Sequence, residues 1–405
     1  MARSEVERRL GLHSVDEDEL RDLLIRTIGS AKSSTMTRLE LPYEGPVTLA
    51  LIYDKRGRLN AIEPGPGWTE ELAASLQGEV ASKLQSPPVP RVRVMGLYAA
   101  HPVAGYWRYK DKMVVREVPS TLPQAPMLSA DHPLICEIAY EGSDDGVVDM
   151  ARADRESRQL ILLLTLLVRG LTLPNHHQSR KAWAYLPPFK ANEPLGRPES
   201  HSGYVQLGYN LNGIPARTDA LSEQGDATVM PTAAVPPEYI SHDLTLTLPE
   251  SLADDLDGFF DLTPNDRRRL LRSAYWLHHS RQVFYYSKSA AYTALVQSVE
   301  VLLDPSPEQS QCPDCQRAMG PGPTRLFMDF INRYAPARTA AERSMHRDAY
   351  RIRSKITHGD HLFVLDEETG FMSSQTHVLE LEQLGHAQKV CRAAVIAWLR
   401  ERASE

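Results

Sequence analysis

Over the first 250 residues the apolar positions alternate or fall in short blocks, and the elements they predict are mostly strands. VTLALIYDKRGRLNAIEP at 47–64 reads as a β-hairpin turning at Lys55–Gly57. RVRVMGLYAA (91–100), DKMVVREVP (111–119) and PLICEIAYEG (133–142) read as further strands. KAWAYLPP and SGYVQLGYNL read as two more, separated by the Pro- and Gly-containing stretch 187–203. Two helices interrupt this region. Residues 14–28 form a short amphipathic one, with Ser14 and Glu17 in a capping-box pattern and Gly29 placed to stop it. A stronger one covers roughly 149–170. Its apolar run LILLLTLLV at 160–168 is too short to cross a bilayer and is bracketed by Arg158 and Arg169, so a buried core helix is expected. Residues 211–250 lack periodicity and are rich in Pro, Ala and Thr, which predicts loop or linker.

From about residue 256 the period changes to that of a helix. TPNDRRRLLRSAYWLHHS opens on Thr263, a cap residue, followed by Pro264 in the favoured first helical position. In SKSAAYTALVQSVEVLL one stripe holds Tyr292, Leu295, Val296, Val299, Leu302 and Leu303. TRLFMDFINRY, AERSMHRDAYRIRSKITHG and the long SSQTHVLELEQLGHAQKVCRAAVIAWLRER complete the set. The expected fold class is multi-domain α+β. A mixed, β-rich N-terminal region (1–255) precedes an all-α bundle (256–405).

Composition narrows the function classes. No apolar run approaches the roughly 20 residues of a membrane span, and the charged N-terminus has no signal-peptide core, so no membrane role is expected. Four cysteines do not make a disulfide framework, and a reducing cytoplasm is the expected compartment. The formal net charge of −7 means that any nucleic acid must be held by a local basic patch. Cys312 and Cys315, in CPDCQ, have the spacing of a zinc knuckle. A structural zinc would need further ligands, from Cys391, Cys136, His346 or a partner subunit. The competing reading is a surface loop with two free thiols. The His pairs at 176–177 and 278–279, the aromatic stretch QVFYYSKS at 282–289 and the basic run RRRLLR at 267–272 are each explained first by packing or a solvated face.

The chemistry concentrates in YRIRSKITHGD at 350–360. On a helical wheel Met345, Ala349, Ile352 and Ile356 make the apolar face. Arg347, Arg351 and Lys355 follow a separate stripe at i, i+4, i+8, which His358 extends. Arg353 lies about 70° from the centre of the apolar face, where a charge needs a partner. Arg353 and His358 are five residues apart, hence separated by about 140° on a straight helix. They meet only if the helix ends early at Gly359 or if a second copy supplies the facing residues. An imidazole suits proton transfer near neutral pH, and a guanidinium suits a phosphate.

The stretch AYRIRSKITHGD (349–360), the helix AAYTALVQSVEVLL (290–303) with Glu300, and the order of helices over about 256–401 resemble the HEPN superfamily, specifically its Apea-like branch. The resemblance implies an α-bundle that dimerises so that two Arg-x4–6-His motifs share one cleft. It implies a metal-independent endoribonuclease, a hydrolase needing no cofactor for catalysis, with Arg353 and His358 as catalytic residues. Arg351, Ser354 and Lys355 would orient RNA. Ser354 departs from the Asn, Asp or His often found after the Arg. The N-terminal region would be a sensor or regulatory module, with a phage or host protein as trigger. Phage defence or a toxin-like attack on tRNA or other RNA is the implied role. The alternative is a catalytically inactive bundle that binds RNA, nucleotide or a protein partner.

Overall fold

The computed structural model describes residues 17–28, 33–35, 37–42, 48–53, 59–65, 67–84, 86–99, 101–119, 132–172, 183–185, 204–206, 215–234, 245–284, 286–304, 310–311, 318–319, 322–367 and 375–405. The chain is a mixed α+β protein, β-rich in its N-terminal region and mostly helical in its C-terminal region.

Helix α1 (Glu17–Ile28) leads into an antiparallel meander of β1 (Ser33–Thr35), β2 (Arg38–Pro42), β3 (Thr48–Tyr53) and β4 (Leu59–Pro64), followed by α2 (Glu70–Leu84). Leu39, Leu51 and Ile62 stand opposite one another across three strands. Leu23 and Leu24 of α1, Leu41 and Leu51 of the sheet, and Leu76 and Val80 of α2 form a separate small core. The expected β3–β4 hairpin is present, and its turn lies outside the described residues. Sequence pattern missed α2. Only Leu76, Val80 and Leu84, at i, i+4, i+8, are buried on it, a stripe too narrow to stand out beside Gly78.

The second sheet contains β5 (Val89–Ala99), β6 (Tyr106–Tyr109), β7 (Met113–Glu117), β8 (His132–Gly142) and β9 (Leu171–Thr172). Strands β10 (Trp183–Tyr185) and β11 (Tyr204–Gln206) pair with each other, and β12 (Arg217–Thr218) joins the second sheet at its edge. The order is β12-β5-β8-β7-β6, with β9 also on β5. The loop-like segment also contributes a parallel pair, β13 (Thr232–Ala233) with β14 (Leu248–Pro249). Helix α3 (Gly146–Leu167) packs on this sheet. Asp145 caps it, its Oδ1 accepting from the amides of Val147 and Val148 at 2.9 and 3.1 Å. Every residue from Leu160 to Val168 is buried, as the apolar run predicted. None of the described helices is long and apolar enough to cross a membrane.

Helices α4 (Leu252–Asp261), α5 (Pro264–Val283) and α6 (Lys288–Glu300) open the bundle. A small pair of strands, β15 (Ser310–Gln311) and β16 (Ala318–Met319), precedes α7 (Pro323–Tyr334), α8 (Ala340–His358), α9 (Val364–Glu367) and α10 (Gln375–Ser404). One apolar cluster runs from Leu97 and Cys136 in the sheet, through α3, to Leu295, Val299 and Trp398 in the bundle. Arginines fasten the helix ends, where four carbonyls lack intrahelical partners. Arg392 donates to the carbonyls of Leu166 and Leu167 at 2.7 and 2.9 Å, and Arg281 to those of Thr165 and Leu171 at 3.2 and 3.1 Å. In the basic run, Arg267 donates to Phe260 and Leu262, and Arg269 to Val301 and Leu302. Half of that run is thus structural rather than solvated; Arg268 and Arg272 are exposed.

Candidate functional site

Helix α8 starts with a complete capping box. The Glu342 amide donates to Thr339 Oγ1 at 3.1 Å, and Glu342 Oε2 accepts from the Thr339 amide. It ends at Gly359, whose φ of 80° is left-handed. The Asp360 amide returns to the Lys355 carbonyl at 2.9 Å, closing the last turn. The helix therefore stays regular through His358, its last residue. Of the two ways in which Arg353 and His358 could meet, an early end to the helix is not the one observed. The two side chains remain about 140° apart and about 7.5 Å apart along the axis.

The buried residues of α8 are His346, Ala349, Tyr350 and Ile352; Met345 and Ile356, expected in the core, are only half-buried. The apolar face is rotated toward Tyr350 because that ring packs on Phe327 of α7, with centroids 5.4 Å apart. At its margin Arg353 has the partner its position requires. Arg353 Nη2 donates to Glu300 Oε2 of α6 at 2.6 Å, the two side chains being 19% and 21% exposed. The guanidinium also lies over the Tyr350 ring, 5.6 Å from its centroid. Burial, with Glu300 adding to it, raises the Tyr350 phenol above its ordinary pKa. Arg353 Nε is buried with no hydrogen-bond partner among the described residues.

The other expected site residues take different positions. Arg351 is exposed and paired with Asp348 at 2.8 Å. Ser354 is half-buried, and Lys355 and His358 are exposed. Cys312 and Cys315 lie outside the described residues. Among the described residues no group of three or more His, Cys, Asp or Glu is placed to hold a metal. Cys136 and Cys391 are fully buried in apolar surroundings. Burial pushes both thiols up, Cys391 to about 12, away from the thiolate that zinc binds.

Three features escaped the sequence reading. Asp366 of α9 caps α6: its carboxylate accepts from Ser287 Oγ at 2.8 Å and from the amides of Lys288 and Ser289, both at 2.7 Å. Burial works against its ionisation, yet these bonds hold its carboxyl below the usual range. The Phe363 amide donates to Ser289 Oγ at 2.8 Å, so the chain leaving the motif is fastened to the α6 N-terminus. Tyr350 is the second feature. The third is the pair His346 and His386, whose rings lie 5.1 Å apart between α8 and α10. Burial lowers both imidazoles below their ordinary pKa, and His346 lowers His386 further. A lone Asp or His in sequence carries no signal of a partner 40 to 80 residues away.

No family description, curated protein or solved structure matches the chain.

Proposed function

We propose that the chain is a metal-independent endoribonuclease of the cytoplasm, active as a homodimer, with residues 1–255 regulating the helical effector at 256–405. Arg353 and His358 are its catalytic residues, and Arg351, Ser354 and Lys355 orient the RNA. The observation that carries this reading is the setting of Arg353. Its guanidinium is held in place by Glu300 through Nη2 and by the Tyr350 ring, and the side chain keeps 19% of its surface exposed. That is how a fixed donor is presented to an anion.

The reaction follows from these groups. A neutral His358 imidazole takes the proton of the ribose 2′-hydroxyl, and the 2′-oxygen attacks the adjacent phosphorus. Arg353 Nη1 donates to the non-bridging oxygens as charge builds on them. The bond from phosphorus to the 5′-oxygen breaks, and that oxygen takes a proton from a protonated imidazole, His358 of the partner subunit. The products are a 2′,3′-cyclic phosphate and a free 5′-hydroxyl. Two copies are required because one straight α8 separates its own Arg353 from its own His358.

The same ion pair favours a second reading, a catalytically silent bundle that binds RNA, nucleotide or protein, since Glu300 already neutralises Arg353. Expression of the full chain and of its His358→Ala form, with RNA integrity and 5′-hydroxyl ends as readout, separates the two. Cleavage that disappears with His358→Ala supports the ribonuclease. Cleavage that persists in the variant sinks the assignment. Intact RNA from folded, dimeric protein, with bound RNA or nucleotide, favours the second reading.

A further inference from the structure

Arg343, Arg347, Arg351 and Lys355 are all exposed on α8 and recur every four residues. Taking Arg343 as zero, they stand at about 0°, 40°, 80° and 120° around the axis, and His358 at about 60°. The row is about 18 Å long, with a cation about every 6 Å, and His358 closes it at the C-terminal end. Arg353 lies off this row, at about 280°, on the side of Glu300.

The charges on this row are largely uncommitted. Only Arg351 has an acidic partner, Asp348; Arg343, Arg347 and Lys355 have none among the described residues. Several other bundle arginines are occupied: Arg333 with Glu401, Arg400 with Asp255, and Arg267, Arg269, Arg281 and Arg392 with carbonyls. In a chain of net charge −7 an aligned row with three of its four cations unpaired among the described residues is a local positive field. Its members are closer than the Debye length of about 10 Å at 0.1 M salt, so their potentials add.

We infer that this face of α8 is a track for the phosphates of single-stranded RNA, running from Arg343 to the imidazole of His358. The inference rests on the ribonuclease reading for the identity of the polyanion and adds Arg343 and Arg347 to the substrate contacts. A single strand is the form that fits the chemistry, because in-line attack by a 2′-hydroxyl requires a backbone free to leave A-form geometry. The track also gives the substrate a direction: several phosphates on one side of the scissile bond lie along α8.

The test is RNA affinity against salt, in the full-length His358→Ala background so that the strand stays intact. The probe is a fluorescein-labelled 20-nucleotide oligouridylate titrated at several KCl concentrations. Each phosphate contact on a single strand contributes about 0.7 to the slope of log K against log salt, so Arg343→Ala with Arg347→Ala lowers it by about 1.4. Arg343→Lys with Arg347→Lys keeps it. An unchanged slope in the alanine pair overturns the track, even if RNA cleavage by the wild type depends on His358. A lowered slope in a protein whose wild type cleaves nothing upholds the track and removes the ribonuclease instead. Displacement of the RNA by polyglutamate of equal charge at equal concentration overturns RNA as the occupant and assigns the face to an acidic protein.

Discussion

Arg353 of α8 and Glu300 of α6 are joined by a 2.6 Å hydrogen-bonded ion pair about four-fifths removed from solvent. Breaking such a pair leaves one charge without its partner, which costs more than the pair itself contributes. Glu300→Ala is expected to destabilise the fold by about 2 kcal/mol, and Glu300→Gln by less, since an amide oxygen still accepts the Arg353 N–H. A double-mutant cycle with Arg353→Ala should return a coupling of about 1 kcal/mol or more, read from urea unfolding. Additive effects would mean that the pair does not fix Arg353.

Gly359 closes the motif helix at φ 80°, and nothing lies within 4 Å of where a Cβ would stand. The backbone angle alone therefore sets the cost. Gly359→Ala should destabilise by about 1 kcal/mol and Gly359→Asn by less, because Asn tolerates the left-handed region. Equal stability of all three in thermal melts would show that the helix can end elsewhere. RNA cleavage by Gly359→Ala should fall more than its stability does if the closed last turn is what orients His358.

The sequence disclosed much of this bundle because its signals are local. Thr263–Pro264 starts α5 as read, the stripe from Tyr292 to Val299 is buried, and Arg353 at the edge of an apolar face required a partner. What stayed hidden depends on pairing at a distance. The β1–β2 strands are too short to show alternation, and the buried stripe of α2 is three residues wide. Asp366 looks like any surface acid until the fold brings it to the α6 N-terminus. The roles of Arg281 and Arg392 exist only because α5 and α10 meet the end of α3.

Arg392 donates to two carbonyls, those of Leu166 and Leu167, at the α3 C-terminus. Arg392→Ala removes two hydrogen bonds to these carbonyls and a cation from the negative end of the helix, each adverse. A loss of about 2–3 kcal/mol is expected. Arg392→Lys should recover about half, because an ammonium lacks the fork that reaches both oxygens. Since α3 belongs to the sheet and α10 to the bundle, limited proteolysis of Arg392→Ala should release a helical fragment that the wild type protects. Identical digestion patterns would remove Arg392 as the tie between the two regions.

His278 sets the expected response to acid. It lies buried on α5, and burial, followed by the charge of Arg281, lowers its pKa to about 4. The folded value is below the unfolded value of about 6.5. The folded state thus binds the proton less well than the unfolded chain, and the stability this gives is present above pH 6.5 and lost as pH falls toward 4. One group with these values removes about 2 kcal/mol between pH 7.5 and pH 5. His346 and His386 are shifted in the same direction, so they steepen the loss. Urea midpoints at pH 7.5, 6.0 and 5.0 measure it above the range where most carboxylates titrate. His278→Gln should flatten the slope and leave the remainder to the α8–α10 pair. A slope unaffected by that substitution would place the acid sensitivity in the His346–His386 seam, directly behind the motif helix.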